Sequence, residues 1–161
     1  MTIDQRLFRD AMGRFATGVT IVTTLVDGRP CGITANSFSS VSLDPPLVLF
    51  CLGCASTNYD AFMSADCFAV NILSGEQQEL STRFAVHDGD RFDGVAWSRW
   101  TTGAPILDGV VCAADCVLDA RHDAGDHVVI IGRVRRVEIL SETPPLLYHR
   151  GGYTWLATPV D

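Results

Sequence analysis

Residues 32–58, GITANSFSSVSLDPPLVLFCLGCASTN, decide how the rest of the chain is read. The stretch opens on a small-polar loop, Thr34 to Ser40, crowded with hydroxyls and an amide. Pro45-Pro46 interrupts the backbone, and an unbroken apolar run, Leu47 to Leu52, follows as a strand expected to be covered on both faces. Ser56-Thr57-Asn58 forms a second polar cluster, with Ser56 the expected N-cap of a helix burying Tyr59, Phe62 and Met63. Two clusters of donors and acceptors thus stand at opposite ends of one strand. That arrangement suits a flat ligand with a polar edge and a phosphate.

Upstream, Thr2-Ile3-Asp4-Gln5 has the form of a capping box, and Leu7, Phe8, Ala11, Met12 and Phe15 recur at helical spacing. A helix of about ten residues with one face packed inward is expected there, ending near Gly13 or Gly18. Val19 to Leu25 alternates and is β-branched, and Asp27-Gly28 is a turn signal leading to a strand at Cys31 to Thr34. Downstream, Phe68 to Leu73 reads as a strand, and Ser74 with Gln77 opens a short helix carrying Leu80 and Phe84. Val86 to Pro105 reads as a long ordered loop anchored by Trp97 and Trp100. Two long strands, near Gly109 to His122 and His127 to Ile139, flank a tight turn at Asp123 to Asp126. After Pro144-Pro145 a last strand falls at Leu146 to Tyr148 or Tyr153 to Leu156. Most neighbouring strands are joined too closely for parallel crossovers. The expected fold is therefore mainly β, an antiparallel barrel with peripheral helices, in one domain spanning residues 1–161.

The formal charge of -7 argues against a nucleic-acid or anionic-membrane surface, so any phosphate must be held by local groups. No apolar run nears the roughly 18 residues of a membrane span, and no secretion signal is read at the start, so a cytoplasmic location is expected. Cys31, Cys51, Cys54, Cys67, Cys112 and Cys116 read as small core residues rather than a disulfide framework. The Cys51–Cys54 spacing lacks the second pair or the histidines of a zinc site.

Several residues offer chemistry. The amide and hydroxyls of Asn36, Ser37, Ser39 and Ser40, with the backbone around Thr34 and Ala35, match the donor–acceptor edge of a flavin ring, and equally suit a plain polar turn. Ser56, Thr57 and Asn58 at a helix start offer an anion site, or an ordinary cap. Arg83, beside Phe84, supplies a compensating charge or simply faces solvent. His127 beside Gly125-Asp126 suits a carboxamide contact or proton transfer, or a bond to Asp126. Arg150-Gly151-Gly152-Tyr153 offers a cation, a flexible backbone and an aromatic ring for a dinucleotide, or a glycine turn. Motifs for Rossmann, P-loop, nucleophile-elbow and zincin sites are absent from the sequence.

The order of these signals resembles the short-chain flavin reductases of two-component flavin-dependent monooxygenases. The likeness runs from Phe8 to Trp155. It is most specific at Ser37-Phe38-x-Ser40-x-Ser42-x-x-Pro45-Pro46, and continues at Phe68 to Leu73, Arg83-Phe84, Gly125-Asp126-His127 and Arg150 to Tyr153. The resemblance implies a Greek-key split β-barrel, a homodimer, and a flavin near the subunit interface. It assigns Thr34, Ala35, Asn36, Ser37, Ser39 and Ser40 to the flavin ring and ribityl chain. Leu52, Gly53, Ser56, Thr57 and Asn58 fall at the phosphate, with Arg83 and Phe84 adding contacts. His127 and Arg150, Gly151, Gly152 and Tyr153 fall near the nicotinamide nucleotide. The implied activity is reduction of FMN or FAD by NADH or NADPH, with reduced flavin released to a separate monooxygenase. A flavin-dependent oxidase and a non-catalytic flavin-binding barrel are the alternatives.

Overall fold

The computed structural model describes residues 3–86 and 89–156. Helix α1 (Gln5–Met12) is capped by Asp4, whose carboxylate accepts from the Leu7 amide at 2.8 Å. Thr2, half of the expected capping box, lies outside the described residues. The expected inward packing of α1 does not occur. Leu7, Phe8 and Met12 are more than half exposed, and Phe15 beyond the helix is 78% exposed. Helical spacing located the apolar stripe, but nothing among the described residues covers it.

Strand β1 (Thr17–Gly18) leads to β2 (Thr20–Val26), which turns back into β3 (Arg29–Ala35). Asp27 and Gly28 both take positive φ, 50° and 78°, so a two-residue turn fits the twist of the hairpin. Next come β4 (Ser39–Leu43) and β5 (Pro46–Gly53). Half of the expected polar loop is therefore strand, and the proline pair forms a hairpin rather than a break, with Leu43 paired to Pro46.

Helix α2 (Tyr59–Ser64) starts at Asn58, two residues later than expected; Ser56 lies in the preceding turn, where its hydroxyl accepts from the Asn58 amide. Strand β6 (Cys67–Ile72) and helix α3 (Gln78–Ala85) follow. The Gln77 side chain accepts from the Ser74 amide at 3.1 Å, but this bond closes the turn before the helix, and α3 begins at Gln78 rather than at Ser74 as expected. The expected loop at 86–105 contains a strand, β7 (Trp97–Arg99), paired with β8 (Pro105–Leu107). The long pair β9 (Cys112–Ala124) and β10 (His127–Ile139) turns at Gly125-Asp126, and β11 (Leu147–His149) pairs with β12 (Gly152–Thr154), so both candidate last strands exist.

Seven strands form one antiparallel sheet in the order β3-β2-β6-β9-β10-β5-β4. Its two edges, β3 and β4, are consecutive in the chain and only residues 36–38 join them. Four residue steps span at most about 14 Å, so the sheet must curl until its edges approach. The result is the expected split barrel. Inside the curl, Val22, Phe50, Leu52, Phe68, Val70 and Ile130 pack beneath Phe62 of α2. Outside, Val19, Ile21, Ala69, Leu73 and Phe84 pack with the β8 residues Ile106 and Leu107. Strands β2 and β6 therefore alternate between two cores and are buried on both faces. Strand β5, expected to be the doubly covered one, buries only Val48, Phe50 and Leu52, while Leu47, Leu49 and Cys51 stay half-exposed.

Buried polar groups pin the outer layer. Asn71, fully buried, accepts from the Leu107 amide at 2.9 Å and donates to the Ile21 carbonyl at 3.1 Å. Asp115, also fully buried, accepts from the Thr102 amide and hydroxyl. The bonds of Asn71 satisfy an amide whose unpaired burial would cost on the order of 2–7 kcal/mol, and a carboxyl left unpaired at Asp115 would be costlier still.

Candidate functional site

Strand β3 lies at the sheet edge, and the two-residue turn at Asp27-Gly28 fixes which of its backbone groups face outward. Val26 and Arg29 close the hairpin, so Pro30, Gly32 and Thr34 present their backbone away from β2. Pro30, with no N–H to donate, suits that free edge. Among the described residues no strand completes it. Instead the Gly32 carbonyl accepts from Asn58 Nδ2 at 2.9 Å and from Arg91 Nη1 at 2.8 Å. The next outward group, at Thr34, opens onto a cavity.

That cavity, about 310 Å³, brings together Thr34, Ala35, Asn36 and Ser37 from one side and Leu52, Gly53, Ser56 and His127 from the other. Ser37 is fixed by the Cys51 amide, which donates to its hydroxyl at 2.9 Å, and the Thr34 hydroxyl donates to the Ser81 carbonyl at 2.6 Å. Leu52 and Phe84 are buried and form apolar walls. Gly32 is required beside them: a Cβ there would lie 2.8 Å from the Phe84 ring. Thr57 and Asn58 line an adjoining cavity of about 260 Å³, and Arg91 walls both. The two polar clusters of the opening stretch thus meet in one cleft.

Arg91 was not foreseen. Only 9% exposed, it donates through Nε to the Val86 carbonyl at 2.9 Å and through Nη2 to the Thr57 hydroxyl at 3.2 Å, besides its bond to Gly32. Burial pulls it below the ordinary arginine value, with the Cys31 thiol opposing the shift. Among the described residues three of its five N–H groups are used, which leaves two for a ligand. The available signal was Asp90-Arg91-Phe92, a cation beside an aromatic residue in an otherwise polar segment. Arg83, the cation expected here, points elsewhere and donates to the Asp93 carbonyl at 2.8 Å. Ser39 and Ser40 are exposed on β4, paired with Leu49 and Val48, and stand outside the walls of the cleft.

His127 is half-exposed, with Nδ1 2.7 Å from Asp126 Oδ1. The hydrogen bond to His127 holds the Asp126 carboxyl below its usual range. With Nδ1 donating to Asp126, a neutral ring leaves Nε2 an acceptor, and this atom lies on the Gly53 side that walls the cavity. Tyr153 donates to or accepts from the Ser81 hydroxyl at 2.8 Å and lines a third cavity of about 220 Å³ with Thr34, Asn36 and Tyr148. Arg150 and Gly151, both at positive φ, form the β11–β12 turn and face a separate cavity beside α1; Gly152 lines neither.

All six cysteines are free, but only Cys116 is buried and Cys54 is exposed, so the expectation of core cysteines holds fully at one position. Burial, with Asp115 beside it, pushes the Cys116 thiol up to about 12. Among the described residues no cluster of His, Cys, Asp or Glu could hold a metal ion.

The arrangement offers an apolar slot with a polar rim at one end and a fixed cation at the other, which fits a flavin mononucleotide in chemistry. Residues 12–157 match the family described as flavin reductase like domain. The chain is 46% identical to the reductase subunit of a flavin-dependent monooxygenase from Rhodococcus jostii, over 94% of this chain and 78% of that one. It is 42% identical to an FMN reductase (NADH) from Agrobacterium fabrum, over 93% and 85% of the two chains. A Streptomyces globisporus NADH:FAD oxidoreductase, solved in complex with NAD and FAD fragments, superposes with a TM-score of 0.92 at 34% identity, covering 100% of this chain and 99% of that one.

Proposed function

This chain belongs to the flavin reductase-like family, and from that premise we propose that it reduces FMN or FAD with NADH or NADPH and releases the product to a separate monooxygenase. One observation carries the reading: the Thr34–Ser37 segment and the Ser56–Asn58 turn wall one cleft with Arg91 between them. Bound flavin supplies the two-electron chemistry, accepting the hydride that a nicotinamide brings as substrate.

The residues act mainly by holding and orienting. The free Thr34 amide, with Asn36 and Ser37, meets the polar edge of the ring. Because N–H and O–H donors strengthen their bonds to an acceptor that gains negative charge, these groups favour the reduced form. Leu52, Phe84 and Ala35 keep water from the face of the slot. Arg91, with Ser56, Thr57 and Asn58, holds the phosphate. This assigns the anion site to a buried guanidinium rather than to the end of the six-residue helix α2. On the open side His127 Nε2 accepts from a carboxamide N–H and positions the nicotinamide, with Asp126 fixing the ring. No strong base is required.

The exposed apolar residues Leu7, Phe8 and Met12 on α1, and Leu43 at 95% exposure on β4, support a homodimer in which a second copy covers them. A monomer mass in sedimentation at micromolar concentration would overturn that part. The activity is tested by following 340 nm absorbance with NADH and FMN. Wild-type protein is expected to consume NADH, and His127→Ala to raise the KM for NADH several-fold more than that for FMN. Equal effects on both would remove His127 from the nicotinamide side, and no consumption by wild-type protein would reject the reductase reading.

A further inference from the structure

Resting on that reading, we propose that Asp90 sets the flavin preference of this chain, favouring FMN over FAD. The flavin phosphate falls at Arg91, which walls both the cleft and the adjoining cavity of about 260 Å³. Among the described residues lining the two cavities, Arg91 is the only arginine or lysine and Asp90 is the only carboxylate. His127 stands at the far end of the cleft, in the wall of the first cavity alone. Burial pushes the Cys31 thiol up, so the wall beside Arg91 stays neutral at pH 7. Although adjacent in sequence, Asp90 and Arg91 form no ion pair within 4.0 Å. Each therefore acts on a ligand as a separate charge.

The two flavins differ in charge at this point. The FMN phosphate is a monoester with about -1.5 to -2 charges at pH 7, all within reach of one guanidinium. In FAD the same phosphate carries a single charge, and a second charged phosphate follows it. That second phosphate enters the adjoining cavity, which continues from Arg91 past Thr57 and Asn58 to Gly89 and Asp90. Among the described residues no further cation lines it. The Phe92 amide donates to Asp90 Oδ1 at 2.9 Å and fixes the carboxylate at that wall. From the next position Arg91 donates to the Gly32 carbonyl, so the backbone that buries the cation also sets the anion. FMN brings its whole charge to the guanidinium, whereas FAD brings half of its charge toward the carboxylate. Both effects favour FMN. Asp90 is exposed, so water and salt screen the repulsion and the preference is moderate rather than absolute.

Fluorescence titration of the full chain with FMN, FAD and riboflavin tests this, alongside Asp90→Asn, Asp90→Lys and Asp93→Asn. Asparagine keeps an acceptor for the Phe92 amide, and Asp93 is an exposed carboxylate of the same segment that lines neither cavity. Wild-type protein is expected to bind FMN about fivefold more tightly than FAD, a gap that Asp90→Asn closes and Asp90→Lys reverses. Asp93→Asn should leave the gap in place, and riboflavin affinity should stay constant throughout. FAD that binds wild-type protein as tightly as FMN, or a gap that survives Asp90→Asn, overturns the proposal. So does a gap that Asp93→Asn closes equally, because net charge rather than this carboxylate would then set it. An FMN preference that depends on Asp90, in a protein that consumes no NADH with either flavin, supports the discrimination while the reductase reading fails on its own.

Discussion

Arg91 at one side of the cleft and the cluster of Arg9, Arg14 and Arg150, which lines one cavity beside α1 at the other, carry the same charge in opposite states. Arg91 is buried and bonded to two backbone carbonyls and a hydroxyl before any ligand arrives. The cluster is exposed and, among the described residues, lacks carboxylate partners. A preorganised cation loses little freedom on binding, whereas an exposed arginine must give up side-chain entropy and is screened by salt. The difference gives the proposed flavin-phosphate site a preorganised cation and leaves the three surface arginines loosely held.

The contrast breaks most visibly at Arg91. Arg91→Ala leaves the Val86 carbonyl unpaired and removes a bridge across the open edge of β3. A loss of about 3 kcal/mol is expected, roughly 6–12 °C in Tm for a chain of this size. FMN affinity should fall at least tenfold with riboflavin nearly unchanged. Equal losses for the two would remove the guanidinium from the phosphate.

Gly32→Ala probes the same side through packing. The added methyl meets the Phe84 ring at 2.8 Å, and that ring is only 1% exposed. A cost of about 1–2 kcal/mol is expected from displacing it, with weaker binding of riboflavin as well as FMN because the apolar wall moves. Unchanged riboflavin binding would show that the wall does not support the ring.

Arg14→Gln gives the smallest change in stability. An exposed residue with no partner among the described residues should shift unfolding by no more than about 0.5 kcal/mol, measured by denaturant titration. A loss comparable to that of Arg91→Ala would mean that the cluster is structural, and the contrast would disappear.

Much of the fold was legible because local physics fixed it. Alternation in Thr20 to Val26 and the Asp27-Gly28 turn specify a hairpin whatever lies around them. The turn even sets which backbone groups of β3 face outward. The polar clusters at Thr34 to Ser37 and Ser56 to Asn58 were found from donor-rich composition, and their places at the two ends of one strand joined them to one ligand. Reading failed where the answer depended on what covers a surface. The stripe of α1 and the run Leu47 to Leu52 are apolar in the same way as the strands that are buried on both faces. Period and composition record that a surface is apolar, not which chain covers it.

The sequence by itself determined the strands, the turns, the barrel class and the two polar clusters, because each follows from backbone preferences and side-chain spacing within a few residues. Only the tertiary structure decided that Arg91 rather than Arg83 faces the cleft, that Ser39 and Ser40 turn away from it, and that Arg9, Arg14 and Arg150 share one cavity. Those outcomes depend on groups far apart in the chain. The Gly32 carbonyl draws Arg91 inward from 59 positions away, and the Gly13 carbonyl fixes the turn at Arg150. A buried acceptor must find a donor somewhere, and the curl of the sheet determines which donor is within reach.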